Sequence, residues 1–128
     1  MKTNLVHYRT CVCNINYHIV WSVKYRRKVL TQEIESYLND LARMIAEEKG
    51  FTLKQFEVGD KDHIHAFVSA PPKLSITSIV KYLKGISGRK LFEKFPELRT
   101  ELWNGELWNH SYYVEIVKKY IENQSNQF

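Results

Sequence analysis

The chain has 128 residues, enough for one domain with a real core and too few for two of ordinary size. Apolar residues make up 44% and charged residues 26%, the balance of a globular domain, and no apolar run approaches the roughly 20 residues of a membrane helix. The net charge of +5 leans toward a polyanionic partner such as nucleic acid, and the first ten residues lack the apolar stretch of a signal peptide, so a cytoplasmic location is expected.

Cys11 and Cys13 are the only cysteines. C-x-C without a second pair is not a zinc framework, and both are read as reduced packing residues. Residues 13–22, CNINYHIVWS, alternate: Cys13, Ile15, Tyr17, Ile19 and Trp21 face one way, and Asn14, Asn16, His18 and Ser22 the other. That is a strand with one buried and one polar face. The basic connection KYRRKVL follows, and Thr31 caps a helix running to about Lys49, with Ile34, Leu38, Leu41, Met44 and Ile45 at helical spacing and Gly50 as its stop.

A second strand covers residues 51–59, its alternation broken at Gln55–Phe56 by a bulge. Asp60, Lys61 and Asp62 turn the chain into a third strand, HIHAFVS, which Pro71 and Pro72 end. A second helix is predicted from about Ile76 to Phe95, stopped before Pro96. The doublet ELWNGELWN (101–109) reads as two strand-like pieces around a glycine turn. SYYVEIV (111–117) starts as a fourth strand, and the chain continues into a helical VKKYIENQ. The order β-α-β-β-α-β predicts one α+β domain over 1–128, a ferredoxin-like sandwich. Two helices cover one face of a four-stranded antiparallel sheet, and a C-terminal helix carries a tyrosine.

On the third strand His63, His65 and Phe67 share one face, and Ile64, Ala66 and Val68 the other. The apolar trio must meet the helices, so the histidines face the free side, beside Asn14, Asn16 and His18. Two readings stay open from spacing alone: a preorganised pair of metal ligands, or two exposed strand histidines without a role. Tyr120 and Gln124 are four apart and share a helical face. A tyrosine oxygen is a competent nucleophile and a glutamine carbonyl a hard oxygen ligand. The alternative is an amphipathic helix with Tyr120 packed in the core.

Lys24, Arg26, Arg27 and Lys28 crowd the end of the first strand with Tyr25 among them, and Lys81, Lys84, Arg89 and Lys90 stud the second helix. Such groups contact phosphates while a tyrosine stacks on a base; a solvated charged face is the alternative. KGISGRK lacks the spacing of a nucleotide-binding glycine loop, so no nucleotide cofactor is expected.

Five ordered blocks, YHIVWSVKYRRKVL (17–30), DKDHIHAFVSAPP (60–72), YLKGISGRKLFEKFP (82–96), LWNHSYYV (107–114) and KKYIENQ (118–124), resemble the single-tyrosine HUH transposases of the insertion-sequence 200/605 type. The resemblance implies a metal-dependent homodimer that cuts and rejoins single-stranded DNA at hairpin-bearing element ends through a 5′-phosphotyrosine. It implies Tyr120 as nucleophile and His63, His65 and Gln124 as ligands of a divalent metal; two nitrogens and an oxygen suit Mg²⁺ or Mn²⁺, and the basic segments fit the picture with Lys24, Tyr25, Arg26, Arg27, Lys28, Lys84, Arg89 and Lys90 as DNA contacts. The sequence departs from the family before the tyrosine helix: no glycine-containing linker separates it from the fourth strand. That departure sustains a second reading, a decayed or repurposed relative that binds hairpin DNA without cutting it. An RNA-binding domain of the same plan is disfavoured, because the third strand carries histidines where stacking aromatics would be expected.

Overall fold

The computed structural model describes residues 14–102 and 105–117. Four strands, β1 (Ile15–Ser22), β2 (Thr52–Gly59), β3 (His63–Ala70) and β4 (Tyr113–Val117), form one sheet in the order β2-β3-β1-β4. All the pairings are antiparallel. Helices α1 (Gln32–Lys49) and α2 (Ile76–Lys94) complete the β-α-β-β-α-β plan. The expected α+β sandwich is therefore present, with the histidine strand at the centre. The C-terminal tyrosine helix, Cys11 and Cys13 lie outside the described residues.

Each helix starts and stops where local chemistry dictates. The Thr31 hydroxyl accepts from the backbone N–H of Ile34, and Gly50 closes α1 in the left-handed conformation at φ 88°. The Ser75 hydroxyl does the same for α2, accepting from the N–H of Ser78 at 3.1 Å. Helix α2 ends at Lys94, with Phe95 as its cap and Pro96 next.

The core lies between the sheet and the helices. Tyr17, Ile19 and Trp21 of β1 and Ile64, Ala66 and Val68 of β3 are buried, together with Ile34, Leu38, Leu41 and Ile45 of α1 and Ile79, Val80 and Leu83 of α2. Each fully buried Ile or Leu contributes roughly 1.5–3 kcal/mol by leaving water. The β2–β3 register shifts between Leu53 and Gln55, so the bulge sits at Lys54, just before the expected position.

Two expectations are corrected. Among its described residues, the 101–109 doublet forms no pair of strands around a glycine turn. A short helix α3 (Leu98–Glu101) precedes it, and of the described residues only Trp108 makes a bridge, to Val23 at the end of β1. Packing overrides propensity here: the Trp108 ring meets Trp21 edge-on at 5.7 Å, and its indole N–H donates to the buried Ser87 hydroxyl at 3.0 Å. Gly88 of α2 lies under the same ring, where an added Cβ would sit 3.5 Å from it. The second correction is smaller: β4 starts at Tyr113 rather than Ser111.

Ser87→Ala removes the acceptor of a buried indole N–H. It is expected to cost about 1–3 kcal/mol, read as a lower urea midpoint at unchanged slope.

Candidate active site

The pleat sends His63, His65 and Phe67 to the sheet face that the helices do not cover, as expected. Antiparallel register then fixes their neighbours. His63 lies opposite Ser22 on β1 and Gly59 on β2, and His65 lies between Val20 and Glu57. The two imidazoles are in edge-on contact at 5.0 Å between centroids. A third ring, His18 of β1, lies nearly parallel to His65 with centroids 5.4 Å apart, its Nε2 3.2 Å from His65 Nδ1.

His63 is oriented by Asp62, the residue that ends the turn into β3. Burial alone would raise the Asp62 carboxyl, but hydrogen bonds from His63, Arg26 and Lys28 prevail and hold it down at about 2. It is therefore ionised and can only accept, so His63 must donate its Nδ1–H across the 2.8 Å separation. That leaves Nε2 of His63 with its lone pair. Gly59 makes room for the ring: a Cβ there would collide with His63 Nε2 and Cε1. His65 is held below the usual imidazole range by burial and by the neighbouring His63 and His18, against a smaller opposing effect of Glu57. It is thus neutral near pH 7 and suited to bind a cation.

The donor set fits a borderline divalent ion. Both rings have Nδ1 engaged and Nε2 without a hydrogen-bond partner among the described residues, the arrangement in which ligand histidines are held by outer-shell partners. Among the described residues, no group of three or more His, Cys, Asp and Glu side chains converges on one point. Two imidazoles would need a further donor; Gln124, the expected one, and Tyr120, the expected nucleophile, lie outside the described residues.

The basic segment reaches this site. A cavity on the open face is lined by His63, His65, Arg26, Ser22, Tyr112 and Tyr113, among others. Arg26 faces it while its guanidinium holds Asp62 at 3.3 and 3.4 Å. Lys28 also reaches Asp62, at 3.3 Å. Tyr25 and Arg26 adopt left-handed backbone conformations, at φ 60° and 53°. Such strain in non-glycine residues persists only where the surroundings enforce it. One outcome is that the Tyr25 ring stands 55% exposed, with the Lys24 ammonium 5.8 Å from its centroid. Lys24 pairs with Glu106 at 2.6 Å, and Arg27 is exposed.

The helix cluster is placed differently. Lys84 donates to the backbone carbonyls of Asn109, His110 and Ser111, the first at 2.5 Å, and burial lowers its ammonium from the usual lysine range. It ties α2 to the approach to β4. Arg89 and Lys90 are exposed, and Arg89 lines a second groove between α2 and residues 105–110.

Asp62, Gly59 and Glu115 were not singled out by sequence reasoning, and His18 was seen only as a neighbour. A carboxylate directly before a ligand-like histidine and a glycine at the end of a strand were the available signals.

The carboxyl of Asp62 titrates lower in the folded chain than in the unfolded one. Its contribution to stability is therefore complete above the ordinary carboxylate range and disappears as pH falls from about 4 toward 2. Urea midpoints measured across that window should drop more steeply for the native protein than for Asp62→Asn; parallel curves would contradict the Asp62 pairing.

The Transposase IS200 like family profile matches residues 11–124. The chain is 40% identical over 127 residues to the ISDra2 transposase TnpA of Deinococcus radiodurans, covering 93% of this chain and 90% of that protein. It is 38% identical over 106 residues to the transposase for insertion sequence element IS200 of Salmonella typhimurium, covering 83% and 69%. A crystal structure of a Deinococcus radiodurans protein described as a transposase superposes with a TM-score of 0.82 at 38% identity, over 94% of this chain and 92% of that one. A REP-associated tyrosine transposase bound to a REP hairpin shares the fold, with a TM-score of 0.61 at 11% identity, over 94% and 67%.

Proposed function

The chain belongs to the IS200-like transposase family, and from that membership we propose that it cuts and rejoins single-stranded DNA near hairpins through a covalent tyrosine intermediate. The observation that carries this reading is the imidazole pair. His63 and His65 face an open cavity from a rigid central strand, with Arg26 beside them. A surface without a role does not need a buried aspartate to fix one ring, nor a glycine to make space for it.

His63 and His65, with Gln124, are the residues that would hold Mg²⁺ or Mn²⁺, and imidazole favours the latter. When bound, the ion offsets negative charge on the scissile phosphate. Arg26 adds a fixed positive charge on the same side. Tyr120 attacks the phosphorus; its Oη–P bond forms as the bond to the 3′ oxygen breaks. The tyrosine proton is lost, the leaving oxygen gains one, and a 5′-phosphotyrosine remains. Attack by a second 3′-hydroxyl reverses the exchange and joins new ends. One phosphodiester replaces another, so no nucleotide cofactor is consumed.

Lys24, Tyr25, Arg26, Arg27 and Lys28 are the first candidates for DNA contact. Four positive charges and an exposed ring occupy one short segment, strained at Tyr25 and Arg26, and its Arg26 lines the cavity. Arg89 and Lys90, and Lys84 to the extent that its ammonium is released from the carbonyls, are the second set. A hairpin is the proposed partner, consistent with the fold's use by a transposase solved on one.

One observation bears on which site Tyr120 serves. Strand β4 continues to Val117, so only residues 118 and 119 separate it from Tyr120. Val117 pairs with Asn16, four residues along the sheet from Tyr113, which pairs with Val20 beside His65. That is about 13 Å, whereas a three-step tether spans at most about 11 Å. With the added reach of its side chain, Tyr120 meets its own site only if the chain reverses after β4, and otherwise serves the site of a second copy. The second arrangement makes a homodimer the working unit.

Incubation with a labelled library of single-stranded hairpins and Mn²⁺ is expected to give a covalent protein–DNA band on a denaturing gel. Tyr120→Phe and His63→Ala should each reduce it by at least about 10³-fold, with hairpin binding retained. Hairpin binding without a covalent band in the native protein would establish the alternative.

A further inference from the structure

His65 has no carboxylate of its own at Nδ1, unlike His63. Its Nδ1 faces His18 Nε2 at 3.2 Å, and His18 Nδ1 faces Glu115 Oε1 at 3.7 Å. The three side chains come from three adjacent strands. Register places Glu115 of β4 directly opposite His18 of β1, and His18 diagonally from His65 of β3. Phe67 meets the His18 ring edge-on at 5.9 Å, which holds that ring against His65.

Two neutral imidazoles can share the contact in only two ways. In one, His65 donates Nδ1–H to His18 Nε2. His18 then carries its proton on Nδ1, pointed at the Glu115 carboxylate, and Nε2 of His65 keeps its lone pair. In the other, His18 donates Nε2–H to His65 Nδ1. Its own Nδ1 lone pair then opposes the carboxylate oxygens, and His65 carries its proton on Nε2, where it cannot bind a cation. The charge of Glu115 favours the first. Glu57, the other carboxylate beside His65, accepts from the Gln55 amide at 3.2 Å.

We infer that His18 and Glu115 are positioning residues that fix His65 in its cation-binding tautomer, a relay from the edge strand to the metal site. The inference rests on the reading of His65 as a ligand. It makes the two halves of the site equivalent: Asp62 fixes His63 directly, and Glu115 fixes His65 through an intervening ring. It also ties a ligand's protonation state to β4, the strand that leads to Tyr120.

The test uses the full chain with ¹⁵N-labelled histidine, metal-free at pH 8, and reads tautomers from long-range ¹H–¹⁵N spectra. His65 should be protonated on Nδ1 in the native protein and in His18→Gln, which keeps an acceptor. It should move toward Nε2 in His18→Phe, which keeps the ring but not the acceptor, and in Glu115→Ala. Mn²⁺ titration should show about 10–100-fold weaker binding for His18→Phe and near-native binding for His18→Gln. A purely packing role for His18 predicts the opposite order. A native His65 protonated on Nε2, or a tautomer unmoved by His18→Phe, would overturn the relay, even if Mn²⁺ binds and His63→Ala abolishes it. A tautomer that switches as expected in a protein taking up no Mn²⁺ would support the relay and refute the metal reading instead.

Discussion

The alternation along β3 is the constraint on which the rest depends. Ile64, Ala66 and Val68 have one place to go, the space beneath α1 and α2, and each is at most 1% exposed. Burying them forces His63, His65 and Phe67 onto the opposite face. A slip of one residue would send two imidazoles into the apolar core and three apolar side chains into water, so the hydrophobic free energy of the domain also fixes the direction of the two imidazoles. Because β3 is central, with neighbours on both sides, its backbone is among the least free to move.

Outer-face chemistry is built on that frame by residues from different elements. Asp62 closes the turn before β3 and gathers His63, Arg26 and Lys28 around one carboxylate. The basic turn is thereby coupled to the orientation of an imidazole, although 36 residues separate Arg26 from Asp62 in sequence. The strain at Tyr25 and Arg26 has a structural counterpart in these contacts and in the anchoring of Lys24 N–H to the Leu107 carbonyl. Residues 105–111 play a scaffolding part: Trp108 is held by Ser87, and the carbonyls of residues 109–111 by Lys84.

Much of this was legible in the sequence because it follows from periodicity. The alternation of β1 and β3, the caps at Thr31 and Gly50, and the prolines at 71, 72 and 96 each have a local cause. The strand order followed from the plan that those elements compose. Residues 105–109 were misread as strand-like because the repeated ELWN is a local signal, while the conformation around Trp108 is decided by its contacts with Trp21 and Ser87. The site was half legible. H-x-H on a strand points to ligands, but Asp62 lies just outside the strand, so no period locates its side chain. Glu115 meets His18 only through the β1–β4 register, and Gly59 meets His63 only through the β2–β3 register; pairing across strands is invisible to a reading made one strand at a time.

The proposed function rests on the outward imidazole pair binding a divalent cation in the service of DNA strand transfer. Pulsed electron paramagnetic resonance of Mn²⁺ added to the purified protein tests it most directly. The expected spectrum shows ¹⁴N couplings from two imidazoles, reduced to one in His65→Ala and in His63→Ala. Mn²⁺ showing only water and oxygen couplings in the native protein would contradict it.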